Sequence, residues 1–344
     1  MRNTSTVKRP TIRDVAAKAG VSKSLVSLVY SAPHSVSEHR KELVLKAAGE
    51  LGFSPNFIAR SLAADSGTFI GILVADLHNP LFAQIVDQVR SALEAAGQYS
   101  FMTSAMLPNA AGEQILDSRT VSALIDLRPK SLLVVGSIPE IHQLSALPES
   151  VPIVVASAIP DGLPRATTVR SNDDIGMRLL IDHLVAKGHH KIAHISVSEG
   201  LVAKSRREAY ELAMKENGLA KNIQIEFVEN ATESAGFEMA TQILRPKGAP
   251  TAITAFNDLL AIGAQGAAGN DVAIVGYDNT FLADLKQISL TSIDPGNTEI
   301  ALKSAKLLVD KSTDMANKGR TFLLEPKLVI RNSSKALVKE KTKK

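Results

Sequence analysis

Two rhythms of apolar residues divide the chain. Between residues 11 and 52 they recur at helical spacing. Ile12, Val15, Ala16 and Ala19 fall at i, i+3, i+4 and i+7 and make one face. Thr11 stands where an N-cap is favoured, and Gly20-Val21 breaks the helix. Ser22 caps a second helix in which Leu25, Val26 and Val29 point inward. Ser37 caps a third, whose inner face reads as Leu43, Val44, Ala47, Ala48 and Leu51. Gly52 sits where a C-terminal glycine is favoured, and Pro55 closes the unit. From Phe69 onward the rhythm changes. Short apolar runs at 70–75, 131–135, 153–156, 191–195, 223–228, 251–255 and 272–276 alternate with amphipathic stretches at 81–97, 172–187, 203–217 and 233–245. Such alternation predicts strands joined by right-handed helical crossovers around parallel sheets. The stretch is long for one open sheet, so two lobes with a cleft between them are expected.

Charge sharpens this division. The formal net charge is +4, yet residues 1–64 carry +6, residues 331–344 carry +5 and the body between them −7. A basic end on an acidic body points to a polyanionic partner for the end alone. The absence of cysteine excludes a disulfide framework and a thiolate metal site, and suits a reducing compartment. The first residues lack the apolar stretch of a secretory signal, and no apolar run approaches the ~18 residues of a membrane span. A soluble cytoplasmic protein, with no membrane partner and no cofactor, is expected.

The first two helices have the spacing of a helix-turn-helix. That motif needs a small residue where the helices touch, a glycine in the turn and an apolar residue in the second helix. Ala16, Gly20 and Val26 supply these. The outward face of the second helix then carries Lys23, Ser24, Ser27 and Leu28. Lys23 suits guanine or phosphate, Ser24 suits several bases, and Leu28 offers apolar contact to a thymine methyl. A generic three-helix bundle, with Leu28 in a protein contact, is the plain alternative.

Thr11 to Ser22 (TIRDVAAKAGVS), Val36-Ser37-Glu38, Leu51 to Asn56 (LGFSPN) and Ala59-Arg60-Ser61-Leu62 resemble the head of the LacI/GalR family of repressors. The resemblance continues through Gly71 to Val74 with Asn79-Pro80, Gly188 to Ile192, Phe256-Asn257-Asp258 and Val275 to Asp278. It implies a hinge helix over Asn56 to Ala63 that inserts Leu62 into the minor groove. A helix this short is marginal alone in water, and an apolar wedge offsets unstacking by gaining a bent, better-contacted site. The residues expected to meet DNA are Thr11, Ser22, Lys23, Ser24, Ser27, Leu28, Asn56, Ala59, Arg60 and Leu62. Many relatives carry arginine where this chain has Leu28, so the operator sequence is not transferable.

The resemblance further implies a pair of periplasmic-binding-protein-like lobes, doubly wound on parallel sheets, with a ligand in the cleft. Arg206, Asn257 and Asp278 match polar groups that grip effectors, and Phe82 matches an aromatic that packs on a ring. A carboxylate and a guanidinium give paired bonds to adjacent hydroxyls while an aromatic face covers C–H groups, which suits a carbohydrate-like effector. Asp76 follows the first strand, at the carboxyl end where open α/β sheets bind ligands. Each has a plain counterpart: Asn257 or Asp258 as a helix cap, Arg206 as an ion pair with Arg207 competing for its role, Phe82 as core. Asn230-Ala231-Thr232 stands where some relatives place an aromatic platform, and the 261–272 stretch is short for the family.

An enzyme is not expected: no metal-ligand cluster, phosphate-binding loop or nucleophile elbow is visible. His189-His190 falls in a loop before a strand. Gly263 to Gly269 follows a helix rather than opening one, which makes it weak as a nucleotide motif. A transport binding protein would be exported and carry no helix-turn-helix, and a non-specific architectural DNA protein would not need the long body. The expected organisation is an arm over 1–10, an all-α head over 11–55, a hinge over 56–66, a two-lobed body over 67–332 and a basic disordered tail over 333–344. The expected function is a homodimeric, effector-modulated repressor on a pseudo-palindromic operator. A repressor indifferent to ligand is the alternative.

Overall fold

In the computed structural model, residues 9–31, 33–54, 67–108, 114–269, 271–310 and 318–335 are described. The chain divides into Met1–Asp65 and Ser66–Lys344. The division falls at the end of the expected hinge, whose Asn56, Ala59, Arg60 and Leu62 lie outside the described residues.

The first unit contains α1 (Ile12–Ala19), α2 (Lys23–Ser31) and α3 (Glu38–Leu51). Asp14 Oδ2 accepts from the Thr11 backbone N–H and hydroxyl, each at 2.7 Å, which fixes the start of α1. Gly20 ends α1 with φ +65°, a left-handed conformation that favours glycine. Val15, Ala16, Val26, Val29, Val36, Val44, Ala47 and Ala48 form the core. Leu43 departs from the expected inner face, at 41% exposed. Val44, Ala47, Ala48 and Leu51 centre the buried stripe, and Leu43 lies about a quarter turn off it.

The second unit has two lobes. In the first, a parallel sheet runs β13-β7-β6-β5-β1-β2. Its strands are β1 (Ile70–Val74), β2 (Ser100–Ser104), β5 (Ser131–Val135), β6 (Ile153–Ala156), β7 (Thr167–Ser171) and β13 (Thr321–Leu324). Every residue of β1, β5 and β6 is buried, as expected of parallel strands covered on both faces. The helices α4 (Pro80–Ala95) and α10 (Asn297–Val309) pack on this sheet. A small antiparallel hairpin, β3 (Met106–Pro108) with β4 (Gln114–Leu116), precedes α5 (Ser118–Asp126).

The second lobe has the order β14-β12-β11-β10-β8-β9. Here β8 (Ile192–Val197), β9 (Gln224–Val228), β10 (Ala252–Ala255), β11 (Ala273–Tyr277) and β12 (Thr291–Asp294) are parallel, and β14 (Lys327–Val329) is antiparallel to β12. Its helices are α6 (Asp173–Ala186), α7 (Leu201–Glu216), α8 (Glu233–Leu244) and α9 (Asp258–Ala267). The chain crosses between lobes three times: from β7 to α6, from β12 to α10 and from β13 to β14. Residues 333–335, expected in the disordered tail, are instead packed on the second lobe. Ser333 and Ser334 are buried, bonding Ile274 O and Thr291 Oγ1 respectively, and the Lys335 carbonyl pairs with His189 Nε2. Among the described residues, no helix is long and apolar enough to cross a membrane.

Candidate functional site

Two surfaces carry the chemistry, and the head supplies the first. Its core holds α2 by Val26 and Val29, which leaves Ser22, Lys23, Ser24, Ser27 and Leu28 exposed together. Ser22 Oγ accepts from Leu25 N at 3.2 Å and so starts the helix. Leu28 is 39% exposed, an apolar side chain amid serines and a lysine. Thr11 is exposed at the start of α1, with its hydroxyl turned to Asp14.

The second surface is the cleft, at the carboxyl ends of strands from both sheets. A cavity of about 20 Å³ is lined by Leu81, Ser157, Arg170, Ser171, Asp173, Val202, Arg206 and Pro295. That volume holds a single water, which needs roughly 10–15 Å³, and not a sugar. A larger open depression of about 620 Å³ lies on α4 and the start of β2, away from these groups.

Arg206 on α7 is the centre of the cleft. Its Nε donates to Asp173 Oδ1 at 3.4 Å, its Nη2 to Asp278 Oδ1 at 3.5 Å and its Nη1 to the Phe256 carbonyl. The guanidinium lies 3.6 Å from the Tyr277 ring centroid and 4.9 Å from that of Phe256. Burial opposes its charge, but Asp278 and Asp173 outweigh burial and raise its pKa. Arg207, the competing arginine, instead donates to Ser196 Oγ and the Val197 carbonyl.

Asp278 follows β11 at φ 111°, and Asn279 follows at φ 45°. Left-handed conformations of non-glycine residues cost about 1–3 kcal/mol each and persist where the surroundings over-determine them. Asp258 does this here: its Oδ2 accepts from Thr280 N at 2.7 Å and Thr280 Oγ1 at 2.9 Å, and its Oδ1 from Ser292 Oγ at 2.6 Å. Asn297 Nδ2 donates to the Asp278 carbonyl at 2.9 Å. The sequence alone did not mark Asp258 or Asn297 as supports, nor Arg170, Asp173 and Ser157 as cleft residues.

The other expected residues are placed differently. Asn257 caps α9, accepting from Leu260 N at 3.0 Å. Phe82 packs against the first lobe's core. Asp76 is partly exposed and accepts from the His78 backbone at 2.8 Å. None of the three lines the cavity.

Burial pushes Asp278 up to about 7, with Asp258 raising it further and Arg206 and Asn79 opposing. Burial likewise pushes Asp258 up to about 6. Both bind protons more tightly folded than unfolded, so their contribution is complete below the ordinary Asp range and is lost as pH rises through those values. His194, pushed down to about 3 by burial, acts oppositely: its contribution is lost as pH falls below its ordinary 6.5. His183, also pushed down by burial, acts with His194, so the aspartate contribution between pH 6.5 and about 8 is read as the difference between wild type and Asp278→Asn. Wild type is expected to lose about 1 kcal/mol relative to that variant across this window, read from chemical denaturation. A difference that does not change with pH would contradict the placement.

A helix-turn-helix head and a two-lobed α/β fold in one chain define a DNA-binding transcriptional regulator. Residues 11–56 match the family model of bacterial regulatory proteins, lacI family, and residues 181–334 match that of the periplasmic binding protein-like domain. The "HTH-type transcriptional repressor PurR" of Photobacterium profundum is 30% identical over 337 residues, covering 95% of this chain and 99% of the relative. A Lac repressor dimer structure, bound to operator and the anti-inducer ONPF, aligns with TM-score 0.78 and 27% identity over 96% of this chain and all of that one. A LacI transcriptional regulator from a Rhodococcus species aligns with TM-score 0.69 and 26% identity, over 78% of this chain and 99% of that one. The chain belongs to the LacI family of bacterial regulatory proteins and is not an enzyme.

Proposed function

We propose that the protein is a homodimeric repressor that reads a pseudo-palindromic operator, its affinity set by a carbohydrate-like effector between the lobes. The exposed α2 face carries this reading: Lys23, Ser24, Ser27 and Leu28 stand together on a helix locked by its own core. Two such helices suit successive major grooves of one operator, with Leu62 as the minor-groove wedge. The solved Lac repressor dimer on operator DNA supports the arrangement. The lobe crossings at β7–α6, β12–α10 and β13–β14 supply a hinge by which a ligand favouring one closure shifts the population that binds DNA.

The test is selection of binding sites from random duplexes with the full chain. Leu28→Arg is expected to change the preferred half-site at one or two positions, toward guanine, by about 1–3 kcal/mol of discrimination. Identical selected sites for the two proteins would remove Leu28 from the groove. A second reading, a repressor indifferent to ligand, is favoured by the cavity of only about 20 Å³.

A further inference from the structure

Asp173 joins two cationic groups across the lobe boundary. It is the first residue of α6, just past the β7 crossover, and only 3% exposed. Its Oδ2 accepts from Arg170 Nη1 at 3.1 Å. Its Oδ1 accepts from Arg206 Nε at 3.4 Å and from the Tyr277 hydroxyl at 3.2 Å. Arg170 also donates to the Ser171 carbonyl and to Ser205 Oγ. Arg206 has carboxylates on two edges, a carbonyl on a third position and aromatic rings at 3.6 and 4.9 Å. Two arginines thus share one carboxylate, Asp173, which stands between both guanidiniums.

We infer that Asp173 sets the charge specificity of the cleft: it neutralises Arg206 and Arg170, so the site takes an uncharged polyhydroxylated ligand and refuses phosphorylated or carboxylated ones. An anion entering here would have to displace Asp173 or Asp278 from a guanidinium. It would otherwise set a second negative group against Asp173 in a buried space, where like charges repel strongly. A neutral polyol meets no such obstacle, because the polar atom left over asks for a hydroxyl. The Ser157 hydroxyl, on a cavity-lining residue, is buried with no hydrogen-bond partner among the described residues. It donates or accepts, so a ligand hydroxyl satisfies it. This inference rests on the cleft being the effector site, with the lobes further apart than in this structure, where the cavity of about 20 Å³ holds only a water.

The full chain is titrated by calorimetry with matched pairs: D-glucose and D-glucose 6-phosphate, D-ribose and D-ribose 5-phosphate, D-fructose and D-fructose 6-phosphate. In wild type, any pair that binds is expected to do so through the neutral sugar, at least tenfold tighter than through its phosphate ester. A tighter phosphate ester would overturn the inference while leaving the effector reading intact. Asp173→Asn is expected to acquire saturable binding of inorganic phosphate, seen as a thermal shift of several degrees that wild type lacks. Asp173→Ser, which keeps an oxygen at the helix start, serves should the first variant not fold. A folded variant with no response to phosphate, or a wild type that responds equally, overturns the role of Asp173. Phosphate gain in the variant with no sugar binding in wild type supports Asp173 and removes the carbohydrate effector.

Discussion

Arg206→Ala is expected to lower the stability of the two-lobed unit by about 3–5 kcal/mol, the cost of leaving buried charges without their partner. Asp173 and Asp278 are 3% and 2% exposed, and both lose a guanidinium. Arg170 still bonds Asp173 at 3.1 Å, so the heavier loss falls on Asp278. Among the described residues, Asp278 then keeps Asn79 to favour its charge, and it relieves the strain by taking a proton. The defect is therefore expected to shrink as pH falls: larger at pH 8 than at pH 5.5, the reverse of ordinary acid sensitivity. Arg206→Lys restores a charge without the planar fork and is expected to recover part of the stability. Arg206→Ala combined with Asp173→Asn is expected to cost less than the sum of the single changes, because the pair is directly coupled. Chemical denaturation of wild type, the two Arg206 variants, Asp173→Asn and the double variant at both pH values decides the matter. A loss below about 1 kcal/mol with no pH dependence would mean the guanidinium does not neutralise these carboxylates.

The contrast between Arg206 and Asp173 shows what the sequence made legible. Asp278 could be anticipated because Gly276-Tyr277-Asp278 ends an apolar run, and a strand end has a direction. The exposed face of α2 could be anticipated because Val26 and Val29 fix the helix rotation. Asp173 carries no such signal. Its partners Arg206 and Tyr277 lie 33 and 104 residues away, and only the crossover of the chain between lobes brings them together. The same holds for Asp258, which reaches Thr280 and Ser292 across 22 and 34 residues. Local periodicity found the buried strands β1, β5, β6, β8, β10 and β11 and the edge strand β9. It did not single out β2, with its exposed Phe101 and Met102, or β7, which ends in the polar Arg170-Ser171. Short strands with polar or exposed positions lose the apolar run on which such a reading depends. Asn257 illustrates the converse: a position matched to effector binding is used as a helix cap.

Gly263→Val is expected to be at least as damaging, at about 3 kcal/mol or more, the upper end for overpacking a close contact. A Cβ at Gly263 would stand 1.9 Å from the Glu233 carbonyl oxygen and 2.7 Å from Phe237 N, both backbone atoms of α8 that cannot rotate away. The contact is reciprocal, since a Cβ at Gly236 would stand 2.2 Å from the Leu260 carbonyl oxygen of α9. The two helices thus touch backbone to backbone, and α9 also holds Asp258, the anchor of the Asp278 loop. Prying α9 away would loosen the cleft as well as the core. Along the same glycine run the constraint fades: a Cβ at Gly266 would meet only the Phe237 ring, at 3.4 Å, and one at Gly269 meets nothing within 4 Å. Gly269→Ala is therefore expected to change stability by less than about 0.5 kcal/mol, as for surface sites without special features. Gly266→Ala should fall between. Thermal unfolding of the three variants tests the ordering. Equal losses at 263 and 269 would show that flexibility of the run, rather than the approach of α8 to α9, is what these glycines provide.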